Sequence, residues 1–158
     1  SYWWKNNLGW RKRKPLIEIL IQGAVTMSEI TWKYVKPLKN TNAIEAFEKE
    51  HSVSFPLDLR EILSKYNGGR PSLKYFDTKT EKDKEFKTLL SFNKEDIETI
   101  YKHYPLDSSD DKIVPFASDP AGNYFVIKDG KVCLWNHEND STLCIANTFS
   151  DFLASLHE

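Results

Sequence analysis

No apolar run in this sequence approaches the roughly 20 residues that a membrane-crossing helix needs. The longest candidate, Leu16 to Ile21, is interrupted by Glu18. A helical membrane protein is not expected, and no stretch combines the charged start, apolar centre and small-residue cleavage site of a secretory signal. Cysteine is scarce. Cys133 and Cys144 are the whole supply, too few for a disulfide-framed fold, and neither has a C-x-x-C partner. Both fall in apolar, strand-like runs, which suits either two buried thiols or one pair joined across neighbouring strands; a reducing cytoplasm is the default setting.

Chemistry-bearing motifs are missing too. The four histidines, His51, His103, His137 and His157, stand far apart and outside any H-x-x-x-H or H-E-x-x-H spacing, so no metal site is expected. There is no G-x-S-x-G and no phosphate-cradling glycine loop between a strand and a helix, since Gly68-Gly69 follows a helix; no cofactor is expected. Paired carboxylates are the remaining route to catalysis. Asp119 and Glu138 fall at the same end of a hairpin and could in principle serve a glycosidase-like hydrolysis. The commoner use of Asp119 before Pro120 is to accept backbone N–H bonds in a turn. The reading is therefore a non-enzymatic protein.

What the chain does contain is enough apolar and aromatic material for one buried core. It has 158 residues, 13% aromatic and 28% charged, the size of a single domain. Its charge of −1 hides an asymmetry: Lys5, Arg11, Lys12, Arg13 and Lys14 against Glu18 leave residues 1–26 at +4 and the remainder at −5. Residues 1–26, with three of the five tryptophans (Trp3, Trp4, Trp10), read as a basic, Trp-rich leader, atypical of the remaining sequence and either an extension or non-native; residues 27–158 form the domain. An acidic body repels phosphates, so direct nucleic-acid binding is not expected, whereas a basic protein partner fits.

Local signals predict an α+β order. Alternation from Ser28 to Leu38 predicts a strand with Ile30, Trp32 and Tyr34 on one side. Asn42 with Glu45 predicts a capping box for a helix reaching His51, and Pro56 opens a second helix with Leu59, Ile62, Leu63 and Tyr66 buried. Asn67-Gly68-Gly69 stops it. Leu73–Phe76 and Thr88–Phe92 read as strands around a solvated, charged connector, Asp77–Lys87, and Asn93 with Asp96 starts a helix that ends before Pro105. Asp107–Asp111 reads as an acidic turn. Tyr124–Ile127 and Val132–Trp135 flank Asp129-Gly130, a type I′ hairpin signal that pairs Lys128 with Lys131, Ile127 with Val132, Val126 with Cys133, Phe125 with Leu134 and Tyr124 with Trp135. Both faces of that hairpin are apolar, so it should lie centrally. A strand at Thr142–Ala146 and a helix capped by Thr148 close the chain.

Five motifs in order resemble a known family: Ile44-Glu45-x-Phe47-Glu48; Phe55-Pro56-x-Asp58-Leu59-Arg60-x-Ile62-Leu63 running into Asn67-Gly68-Gly69; Ile113-x-Pro115-Phe116-Ala117-x-Asp119-x-x-Gly122-Asn123; Trp135-x-His137-Glu138; and Ile145-Ala146-x-x-Phe149-x-x-Phe152-Leu153. They are similar to the SUKH superfamily, which takes in bacterial immunity proteins and yeast cell-wall-assembly regulators. The resemblance, over about Asn42 to Leu156, implies a single α+β domain with a mostly antiparallel, curved sheet packed against helices. It implies a non-enzymatic immunity protein that binds a polymorphic or contact-dependent toxin domain of nuclease or deaminase class; the expected setting is the cytoplasm and the expected state a monomer or weak homo-oligomer. Glu48, Pro56, Asn67, Gly68, Gly69, Pro115, Asp119, Gly122, Asn123, Trp135, His137, Phe149 and Phe152 would be scaffold. Partner contacts are expected around Asp107, Asp110, Asp111, Asp119, Tyr124, Trp135 and Glu138. A regulatory adaptor binding a cellular protein through the same sheet is the alternative.

Overall fold

Two apolar periodicities, near 3.6 and near 2, alternate along the chain, and the computed structural model, which describes residues 30–158, turns them into four helices and nine strands. In order these are β1 (Trp32–Lys33), α1 (Ala43–His51), α2 (Leu57–Lys65), β2 (Arg70–Pro71), β3 (Tyr75–Phe76), β4 (Lys84–Glu85), β5 (Thr88–Leu89), α3 (Ile100–His103), β6 (Val114–Ser118), β7 (Tyr124–Lys128), β8 (Lys131–Asn136), β9 (Ser141–Ala146) and α4 (Phe149–Ala154). The leader expected over residues 1–26, and the start of the strand expected from Ser28, lie outside the described residues. The layout is α+β.

One antiparallel sheet dominates, in the order β9-β8-β7-β6-β5, beside two short pairs, β1-β2 and β3-β4. The central hairpin takes the expected register at all five positions, from Tyr124↔Trp135 to Lys128↔Lys131. Asp129 and Gly130 have φ values of 51° and 77°, the positive-φ pair that a type I′ turn requires. With β6 and β5 on one side and β9 on the other, the hairpin is central because its two faces are both buried. Phe125 faces Phe76, Phe86, Phe116 and Phe152, ring to ring at 4.9 to 6.4 Å. On the opposite face, Val126, Cys133 and Trp135 pack with Ile113, covered by Leu106 and Tyr124. Seven of the largest fully buried side chains are phenylalanines, each worth roughly 1.5–3 kcal/mol of transfer free energy.

The shared motifs acquire physical reasons. Buried Glu48 accepts from Phe55 N (2.8 Å) and Arg60 Nη2 (2.9 Å), tying α1 to the entry of α2. Asp58 Oδ2 accepts from Ser150 N and Oγ, tying α2 to the first turn of α4. Asn67, fully buried, donates to Lys36 O and Ser91 Oγ and accepts from Phe92 N. At Gly69 a β-carbon would meet Tyr66 O at 2.8 Å, closer than packing allows. Thr148 accepts from Asp151 N as an N-cap, as expected.

Several local expectations are corrected. The first strand is only Trp32–Lys33, because Tyr34 turns out of it at φ 60°. Asn42 precedes α1 but its side chain makes no cap bond. The charged connector contains β4, and Phe86 within it is 1% exposed. The third helix begins at Ile100 under Thr99, whose hydroxyl accepts from Lys102 N; Asp96 instead takes the Ser91 hydroxyl, and Asn93 bonds the 36–39 segment. Of the two cysteine alternatives, the cross-strand pair is the one formed: Cys133 on β8 is disulfide-bonded to Cys144 directly opposite on β9. Cys144 is exposed while Cys133 is buried, so the expectation of two buried thiols fails on both counts.

Candidate functional site

The candidate contact residues divide between the two ends of the β7–β8 hairpin: Asp110 pairs with Lys128 and Asp111 lies beside Asp129 and Gly130 near the turn, while Asp119, Tyr124, Trp135 and Glu138 lie at the open end. Trp135 is 4% exposed, stacks near Tyr124 (centroids 6.4 Å) and donates its indole N–H to Asp140 Oδ1 at 2.7 Å. Asp140 also accepts from Ser108 Oγ (2.6 Å), Ser109 N (2.9 Å) and Ser109 Oγ (2.8 Å). These donations, the Ser108 hydroxyl foremost, hold its carboxyl far below the usual carboxylate range. One carboxylate thereby ties the 106–112 loop to the β8–β9 turn. Composition did not single out Asp140. The available signal was a Trp on a buried strand, whose N–H needs an acceptor, followed by a turn-forming Asn-Asp pair.

The rim acids divide by what they already hold. Asp110 accepts from Lys112 N and pairs with Lys128 Nζ at 2.8 Å; the Lys128 hydrogen bond is the main reason its carboxyl titrates lower than usual. Asp107, Asp111 and Glu138 are exposed, and among the described residues none of the three carboxylates has a hydrogen-bond or ion-pair partner. Lys112, exposed next to Asp111, dilutes the negative charge there. Asp119 is 8% exposed, and both its oxygens are used inside its own loop, by Ala121 N (2.9 Å), Asn123 N (2.8 Å) and Asn123 Nδ2 (3.2 Å). Asn123 Oδ1 then accepts from His137 N and bonds His137 Nδ1 at 2.8 Å. Gly122, at φ 88°, sits where a β-carbon would touch the His137 ring at 3.4 Å. The D-x-x-G-N and W-x-H elements are thus one interlocked corner, and the acid pair a hydrolase would need lacks a free Asp119.

Beneath the rim lies a polar line. Tyr124 Oη bonds His103 Nδ1 at 2.9 Å. Burial, then the nearby Glu98 and Asp119 charges, raises the Tyr124 phenol; burial lowers His103 despite the Glu98 charge. Glu98 is itself partly buried. Burial works against its ionised form, but hydrogen bonds from Lys87 Nζ (2.8 Å) and Ser118 Oγ (3.0 Å) outweigh it and keep its carboxyl low. His103 and Glu98 were not expected near the candidate face; the misplaced third helix hid them. Every carboxylate and ring in this line is held by its neighbours.

Among the described residues no helix is long and apolar enough to cross a membrane, and one group of side chains, Asp77, Asp83 and His157, could hold a metal ion. No curated protein matches the chain. The SUKH_6 family model, described as SMI1-KNR4 cell-wall, matches residues 41–153. That span runs from the turn before α1 into α4, encloses every motif residue interpreted above, and covers more than two thirds of the sequence; the chain belongs to the SUKH family.

Proposed function

We propose that this protein is an immunity protein that neutralises a basic toxin domain by direct binding and performs no catalysis itself. Membership of the SUKH family supports an immunity- or regulator-like protein in general. The observation that carries the narrower reading is the Asp140 tie, which holds the 106–112 loop fixed while leaving Asp107, Asp111 and Glu138 exposed without partners among the described residues. Exposed rim carboxylates steer a basic partner and set its association rate; a few desolvated anchors supply affinity. Tyr124, half-buried and held by His103, is the aromatic anchor of this reading. Asp110 contributes field rather than contact. Trp135 and Asp119 support the surface from below, with little of either open to a partner.

A toxin of nuclease or deaminase class fits because its substrate groove is positively charged, and occupying that groove with carboxylates blocks substrate. The protein would act in the bacterial cytoplasm as a monomer or weak homo-oligomer. The test is co-expression with the toxin domain encoded beside its gene, followed by co-purification. Protection and a stable complex support the reading; failure of both removes it for that pair. A regulatory adaptor is the second reading, favoured by the yeast regulators within the superfamily. A gene neighbourhood without a toxin, together with capture of a regulatory protein through the same rim, would favour it.

A further inference from the structure

We propose that Asp77, Asp83 and His157 form a binding site for a divalent metal ion of the zinc type, fastening the C-terminal segment to the β3–β4 hairpin. The three side chains come from segments 80 residues apart and bring their ligand atoms within 4.8 Å of one another. Backbone pairing puts them there. Tyr75 N donates to His157 O (3.0 Å) and His157 N donates to Tyr75 O (2.7 Å). Asp77 leaves β3 two residues later, and Asp83 precedes β4 in the opposing strand. Asp83 N donates to Asp77 Oδ1 (2.9 Å), while Thr78 N donates to Glu81 O (2.7 Å) and closes the turn between them.

The decisive feature is what occupies the space between the ligand atoms. His157 Nδ1 lies 3.0 Å from Glu158 O, and a carbonyl can only accept, so Nδ1 carries a hydrogen. In the neutral ring Nε2 is then a lone pair. That lone pair faces Asp77 Oδ1 at 3.3 Å and Asp83 Oδ1 at 3.8 Å. Three acceptors converge on one spot, an arrangement that repels unless something positive sits among them. A proton is one occupant, and the Glu158 carbonyl together with the two carboxylates does raise the His157 pKa. A metal ion is the other occupant. Ligands about 2.0–2.2 Å from a tetrahedral zinc stand about 3.3–3.6 Å apart; the His157–Asp77 separation of 3.3 Å already has that length, and Asp83, at 3.8 Å, closes in when the ion binds. A backbone carbonyl on the far ring nitrogen is also the usual support of a metal-bound histidine. Two carboxylates and a neutral imidazole balance a divalent charge. Lys84 is paired with Glu81 at 2.8 Å, and Lys82 is the lysine whose charge acts on Asp77. All three side chains are partly exposed, so water completes the shell and the ion exchanges freely.

The experiment is calorimetric titration of the full chain with Zn²⁺ alone, repeated with Co²⁺ to read its tetrahedral absorption bands. One ion per chain is expected, with affinity falling by about tenfold or more in Asp83→Asn and His157→Gln and unchanged in His137→Gln. In the unsubstituted protein, Zn²⁺ should shift the ring resonances of His157 and leave those of His51 and His103 in place, a readout that needs no variant to fold. Absence of binding, or binding that survives His157→Gln or moves another histidine instead, overturns the proposal.

Discussion

Replacing Asp119 with alanine separates a scaffold corner from a contact surface. In the structure this carboxylate accepts three hydrogen bonds, from Ala121 N, Asn123 N and Asn123 Nδ2, at 2.8 to 3.2 Å while 8% exposed. Hydrogen bonds to a charged group contribute roughly 1.5–3 kcal/mol each when fully buried. Ala121 and Gly122 are exposed, so water can take over part of what the substitution frees, and the total comes to about 2–4 kcal/mol rather than the full sum. Asn123 would lose its orientation as well, loosening its bonds to His137. At about 4 °C per kcal/mol for a domain of this size, Tm should fall by about 8–16 °C. Thermal melting followed by circular dichroism measures it, and a urea titration with an unchanged m-value shows that the denatured state is not responsible. Asp119→Asn, which keeps one acceptor oxygen, should lose about half as much. A melting point within a degree or two of the parent would refute the reasoning, and if binding to a partner vanished at the same time, Asp119 would be a contact residue.

Removing the rim charges together, Asp107→Asn, Asp111→Asn and Glu138→Gln, should leave stability within about 0.5 kcal/mol while slowing association with a basic partner and flattening its salt dependence; surface plasmon resonance at two ionic strengths reads both. Gly69→Ala should destabilise by about 2 kcal/mol or more through its clash with Tyr66 O, and Gly130→Ala, at φ 77° in open space, by about 1–2 kcal/mol through backbone strain alone; thermal melts rank them. His103 is held below its ordinary pKa by burial, so the unfolded chain binds the proton more readily. Its contribution is complete above the unfolded value of about 6.5 and is lost as pH falls through the folded one. His103→Phe should therefore reduce the fall in stability between about pH 7.5 and 5.5. Urea midpoints across that range test it, and an unchanged slope would show that the ring's burial is not what sets it.

The hairpin was readable from the chain because its turn chemistry is local: Asp129-Gly130 admits one register, and that register fixes which residues share a face. Thr148 was readable for the same reason. Asn93 and Asp96 misled because they satisfy a helix-start pattern while their side chains are claimed by Asn67's neighbourhood, Ser91 and the 36–39 backbone, partners remote in sequence. Phe86 hid among charges, since a single apolar residue in a polar run has no periodicity. Asp140 was overlooked for a related reason. Its importance lies in joining Ser108, Ser109 and Trp135, and nothing in the local pattern announces a bond spanning more than thirty residues.

Among the described residues β9 ends the five-stranded sheet, so one row of its main-chain donors and acceptors points away from β8, and Leu143 on it is half exposed. A strand in that position invites exchange: in a concentrated sample β9 of one molecule could leave its own sheet and complete a neighbour's. The Cys133–Cys144 bond rivets the strand to β8 at its middle and forbids that trade while it is intact. Reduction releases the rivet without removing any buried side chain from the Phe125 face. The oxidised chain should consequently remain single on storage, and the reduced chain should accumulate interlocked dimers that dissociate only on unfolding.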